Sequence, residues 1–263
     1  MTAFERVQAK YDWAKKRVDD FEAAVADFRR SNPHTIGRED NVETGQVRFY
    51  VQQVPAIPNE LAFTLGDALH NLRSTLDHLA YALVVAAGGT PNRYTSFPIG
   101  ELDKDFKGLA KRNVPSLRQP CYNILDRIQA YKRGGGHRLW QLNKLDIVDK
   151  HRLLLTVCSV PVGRSMTLSE RAAFRTKKTF IGPYTFAALQ MVSATANPTS
   201  VPMQAGYELG FFDASDVDQN VGFAFDIAIN EPNIIEGMPT FLFLRGLASE
   251  ILTIINSFGP CLS

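Results

Sequence analysis

The sequence predicts an α+β protein, mainly a helical bundle, with a β-rich insertion ahead of its last helix. Three features carry this reading. Long stretches place apolar residues three and four apart near the start of the chain and again over residues 59–87, and a third near the end is apolar nearly all round. A segment of about 70 residues before the last of these instead shows short alternating runs broken by glycine, proline and aspartate. The composition, 45% hydrophobic and 21% charged over 263 residues, suits an ordinary globular core and excludes disordered and fibrous classes.

In the first helix Phe4, Val7, Tyr11, Ala14, Val18, Phe21, Val25 and Phe28 form one stripe, which ends near Ser31-Asn32-Pro33 because proline disfavours helix at the residue before it. The stripe fits a coiled-coil seam or the inner face of a bundle, and we read it as the latter. Residues 45–54 alternate Val47, Phe49 and Val51 with polar neighbours, as the second arm of a hairpin begun near His34 to Arg38; Pro55 and Pro58 close it. A long helix follows from Asn59, a candidate N-cap, to Ala87, where Gly88-Gly89 stops it. Residues 91–100 read as loop. Helices are then expected from Ser116 to before Gly134 and from His137 to Thr156. Val221, Phe223, Phe225, Ile227 and Ile229 mark the clearest strand, and a last helix covers residues 239–258. The domains so defined are a helical bundle with a small hairpin (1–156), a β-rich insertion (157–230) and a C-terminal helix returning to the bundle (231–263).

The N-terminus MTAFERVQAKYDWAKKRV lacks the apolar stretch of a secretory signal. Residues 80–87 are too short to span a membrane and 238–258 are broken by Arg245 and Glu250, so a cytoplasmic protein with no membrane span is expected. Cys121, Cys158 and Cys261 are odd in number and form no CxxC pair, which reads as reduced buried thiols. A net charge of +2 decides neither for nor against a nucleic-acid partner.

Leu65, Leu69, Leu72, Leu76, Leu79 and Leu83 define the inner face of the second helix. Its other face gathers Asp67, His70, Asn71, Arg73, Ser74, Asp77, His78 and Tyr81, with no Lys and no Glu. A solvated helix face is normally filled by Lys, Glu and Gln, which are better helix formers than Asp, Asn, Ser and His. Two readings follow: a hydrogen-bonded network locking the helix to its neighbours, for instance with Asp77 accepting from Arg73, or a site in which the histidines move protons and Arg73 stabilises charge on a phosphate. In the helix from His137, both faces carry apolar residues, so Asp146, Asp149, Lys150 and His151 need partners, and Arg73 and His70 are candidates.

The run Arg73-Ser-Thr-Leu-Asp-His78 has the Arg-x4-His spacing on a bundle helix, and so resembles the signature of HEPN-domain proteins, many of which are metal-independent ribonucleases of toxin and antiviral systems. A second such pair, Arg29 to His34, crosses Pro33 and cannot lie on one helix. The resemblance implies an endoribonuclease, a toxin or phage-defence effector, working as a homodimer on RNA, with a possible antitoxin or defence-system partner. Arg73 would hold the scissile phosphate and His78 would act in acid-base transfer, with Asp77, Asn71 and His70 beside them and Ser74, Tyr81, Asp146, Asp149, Lys150 and His151 in support. The phrases HNLRSTLDHLAYAL and LWQLNKLDIVDKHR also resemble segments of uncharacterised bacterial proteins.

Alternatives are a non-catalytic ligand-binding or regulatory protein, and a metal-dependent hydrolase with ligands drawn from His70, Asp77, His78, Asp149 and His151. No His-x3-His or Glu-x2-His pair is present, so neither metal nor cofactor is assigned. Two further signals are Gly134-Gly135-Gly136 with Lys132, Arg133 and Arg138, as an anion cradle or a flexible hinge, and Arg171, Arg175, Lys177 and Lys178 with Phe174 and Phe180, as a surface for single-stranded RNA or a solvated strand edge.

Overall fold

The computed structural model describes residues 1–31, 34–151, 155–168, 203–215 and 217–262 of an α+β chain. Helix α1, Ala3–Arg30, starts at a capping box: Thr2 accepts from the Glu5 N–H and Glu5 accepts from the Thr2 N–H. Its stripe buries Val7, Tyr11, Ala14, Val18, Phe21 and Val25. Strands β1 (Thr35–Asn41) and β2 (Gln46–Gln53) form the expected hairpin, with Gly45 at positive φ in the turn. Because the open end of the hairpin joins both helices, α2 (Asn59–Ala86) begins where α1 ends and packs antiparallel along it. The cap of α2 is Pro58, so Asn59 is the first helical residue rather than the N-cap.

Helix α3 (Asp103–Asn113) was not foreseen, since its apolar stripe is short, Phe106, Leu109 and Ala110 within eleven residues. Helix α4 (Gln119–Ile128) starts three residues after Ser116, which sits at positive φ outside it. Helix α5 (His137–His151) stops short of Thr156, whose N–H is taken by the Glu231 carboxylate. Helix α6 (Thr240–Ser257) follows the sheet and ends in a single 3-10 turn, Gly259–Cys261.

Strands β3 (Val157–Leu168), β5 (Val217–Glu231) and β6 (Ile235–Pro239) form an antiparallel sheet in the order β3-β5-β6. Strand β4 (Glu208–Asp213) instead pairs with the free edge of β2, giving a second sheet in the order β1-β2-β4. Val47, Phe49 and Val51 of β2 pack there with Leu209, Met203 and Phe225. The main core lies among α1, α2, α5 and α6, where Phe21, Leu72, Leu76, Trp140, Phe243 and Ile251 are buried together. Each such large side chain contributes about 1.5–3 kcal/mol.

The expectation of three reduced thiols is corrected: Cys121 of α4 is disulfide-bonded to Cys261 of the final turn, while Cys158 is free and buried. The two partners lie 140 residues apart in sequence, so nothing local to either announces the pairing. Among the described residues, no helix is long and apolar enough to cross a membrane.

Candidate functional site

His78 is five positions on from Arg73, which turns them about 140° apart on an α-helix, and α2 uses that angle to divide its polar face. Arg73 lies on the edge packed under α5 and is only 9% exposed. Its Nε donates to Asn143 Oδ1 of α5 at 3.0 Å, Nη1 to Asp77 Oδ1 at 2.5 Å and Nη2 to the Phe97 carbonyl at 3.3 Å. Asp77 also accepts from the Phe97 N–H at 2.9 Å. This half is a clamp. It fastens the loop before α3 to α2 and α5, and each of the three guanidinium nitrogens donates to an acceptor.

On the outward surface, the exposed His70 places Nδ1 3.0 Å from Oδ1 of the buried Asp146, whose other oxygen accepts from Lys150. A carboxylate sunk in the core thus fixes the imidazole plane and leaves Nε2 directed away from it, the arrangement by which a base is oriented in nucleophilic enzymes. The partners of Asp146 are both about half exposed, 52% for His70 and 48% for Lys150, so removing the carboxylate leaves them able to rehydrate. Asp146→Asn is therefore expected to cost only about 1–2 kcal/mol in urea unfolding, not the 3–5 kcal/mol of a stranded buried charge.

The opposite edge of the face meets α1. There Asn71 donates from Nδ2 to the Asp67 carbonyl and accepts from Lys10 Nζ at 3.0 Å. Ser74 is half-buried, and His78 and Tyr81 are exposed on the same outer surface. Of the supporting residues on α5, Asp146 and Lys150 join His70, whereas His151 is exposed away from that pair. Asp149 packs over Gly66, where an added Cβ would collide with the carboxylate. The structure therefore unites Arg73 with Asp77, and His70 with Asp146 and Lys150, and leaves His78 outside both groups. Lys10 and Asn143 were missed by sequence reasoning, as neither belongs to a motif and only the packing of α1 and α5 on α2 brings them in.

Among the described residues, no three His, Cys, Asp or Glu side chains are placed to share a metal ion, so the five-residue ligand set is not assembled. The glycine cradle is likewise overturned. The N–H groups of Gly134, Gly135 and Gly136 are consumed by Tyr131 O, Gln129 Oε1 and Gln129 O, which closes the loop on itself. The basic cluster from Arg171 to Lys178 lies outside the described residues.

Burial, with Asp146 and Asp67 nearby, raises the Asp149 carboxyl above its ordinary range, and burial does the same for Asp226 and for Glu250. These groups hold protons more tightly folded than unfolded. Their contribution to stability is complete below the ordinary carboxylate range and is lost as pH rises through the raised values. Asp149→Asn is expected to match the wild type in thermal melts at acid pH and to gain on it progressively above. A constant difference at all pH values would contradict this.

No family model, curated protein or solved structure matches the chain.

Proposed function

We propose that the chain is a metal-independent endoribonuclease of the HEPN-like type, cytoplasmic, with α1, α2, α5 and α6 as its helical bundle and the outward face of α2 as its site. The observation that carries this reading is the exposed His70 held by the buried Asp146. RNA cleavage without metal needs a base to take the proton of the ribose 2′-hydroxyl as its oxygen attacks phosphorus. It also needs an acid to protonate the departing 5′-oxygen, giving a cyclic phosphate and a free hydroxyl. His70 and His78 are the two exposed imidazoles of α2, but eight residues of helix place them about 12 Å apart along the axis, too far to serve one phosphate from one chain.

A homodimer resolves this. The outer stripe is spaced symmetrically about Ser74: His70 and His78 four positions to either side, Asp67 and Tyr81 seven, and Phe63 and Val85 eleven. Two antiparallel α2 helices crossing at the small Ser74 would face His70 of one copy with His78 of the other. The exposed Phe63 and Val85 would close the ends. Arg73 acts in this proposal through the fold, clamping α2 to α5 and to the loop before α3. In a toxin or defence effector, an antitoxin or defence-system partner would bind over the same face.

Cleavage of single-stranded and transfer RNA should persist in chelator and fall about 100-fold or more in His70→Ala and in His78→Ala, with little change in melting. Mixing the two inactive variants should restore about a quarter of the wild-type rate, because half the dimers are mixed and each carries one intact site. Intact RNA with the wild type would leave a non-catalytic binding role as the better reading.

A further inference from the structure

Arg6, Lys10, Trp13 and Arg17 of α1 are spaced four, three and four apart, one position ahead of the buried stripe Val7, Tyr11, Ala14 and Val18. They therefore form a single ridge, and the bond from Lys10 to Asn71 and that from Thr75 Oγ1 to the Lys10 carbonyl fix it against α2. Since the helices run antiparallel, Arg6 lies towards the His78 end and Trp13 towards the His70 end. We propose that this ridge is a binding surface for single-stranded RNA, with Arg6 and Lys10 contacting phosphates and Trp13 stacking on a base. The inference rests on the ribonuclease reading only for where the bound strand would be cut.

Lys10 carries the argument. Its ammonium is half-buried, yet its one side-chain partner among the described residues is a neutral amide, locked in turn on the Asp67 carbonyl. Burial pulls its pKa below the ordinary lysine value, and no carboxylate offsets this. A cation desolvated without a counter-charge costs free energy that an arriving phosphate would offset. Arg6 is exposed and also lacks a carboxylate partner among the described residues. Trp13, a large aromatic that folding would normally hide, is 49% exposed, with the Arg17 guanidinium 4.4 Å from the centre of its ring. Arg17 is steered there by Asp20 at 2.8 Å, and its Nε is buried without a partner. Asp77 of the α2 face is bonded to Arg73, on the edge packed under α5. Cations alternating with an open aromatic are what a sequence-tolerant single-strand surface needs, because every base has a π-face and every linkage a charge.

The test uses a fluorescein-labelled 2′-O-methyl uridine 12-mer, which cannot be cleaved at the ribose, and anisotropy titrations at several salt concentrations with full-length protein. The wild type should bind. Arg6→Gln with Lys10→Gln should weaken binding and reduce the salt slope by about 1.4, two single-strand phosphate contacts. Trp13→Ala should weaken it roughly 5- to 150-fold with the slope unchanged. Arg6 and Trp13 are exposed, so their variants should melt with the wild type, Lys10→Gln keeps an N–H donor for Asn71, and Lys107→Gln, on α3, should bind normally. No binding by the wild type, or equal losses with Lys107→Gln, overturns the ridge. Binding without cleavage of the ordinary RNA would keep the ridge and sink the ribonuclease. Cleavage and binding unaltered by the ridge variants would do the opposite.

Discussion

Arg73→Ala is expected to lower stability by about 2–3 kcal/mol, a loss in Tm of roughly 5–10 °C, and to lower activity chiefly by depleting folded protein. The guanidinium is 9% exposed and bridges three otherwise separate pieces of the chain: Asp77 one turn along α2, Asn143 on α5 and the carbonyl of Phe97. Deleting it leaves the Phe97 carbonyl and Asn143 Oδ1 without their donor, while Asp77, 38% exposed and still bonded to the Phe97 N–H, turns to water. Arg73→Lys should recover only part of the loss, since a single ammonium cannot reproduce a fork with three directions. Denaturant unfolding of both variants, beside cleavage per folded molecule, is the measurement. An unchanged melt would mean that the clamp is loose and Arg73 free to hold phosphate as the HEPN resemblance implies.

Loss of the Cys121–Cys261 bond is the second large effect. It closes a loop of 140 residues, and freeing so long a loop in the unfolded chain costs about 3–5 kcal/mol of stability in a chain-entropy account. Both cysteines are 5% exposed, so serine in their place also buries a hydroxyl. Cys121→Ser, Cys261→Ser and the double variant should melt at nearly the same reduced temperature, and reductant should bring the wild type down to meet them. Alkylation finding three free thiols in the native protein, with no response to reductant, would show the bond absent in solution. Because disulfides are uncommon in a reducing cytosol, the outcome also bears on where the protein works.

Elements were legible where one periodic signal decided them. The stripes of α1 and α2 and the alternation in β2 state which side is buried, and the structure buries those sides. Helix α3 carries only a short stripe, and the Thr156 N–H, expected within α5, is bonded to Glu231, a residue 75 positions away. The same limit governs the site. Which residue types crowd the polar face of α2 could be read from the chain. That Arg73 would turn inward to Asn143 while His70 turned to Asp146 depends on where α5 packs, and the departure of Lys10 to Asn71 depends on α1. Cys121 and Cys261 are the extreme case, since only the completed fold makes them neighbours.

The placement of β4 has a consequence during synthesis. Strand β2 is central in its sheet, but the strand that covers its second edge emerges roughly 150 residues later, on the order of ten seconds at ordinary elongation rates. Throughout that interval Val47, Phe49 and Val51 line a two-stranded ribbon with one open edge and no sheet neighbour on that side. A two-stranded ribbon is marginal in water, and an open apolar edge recruits whatever strand arrives first. The nascent chain is therefore exposed to mispairing at its N-terminal hairpin long before its helices have all been made, and this segment is where a chaperone acting on the ribosome would be of most use.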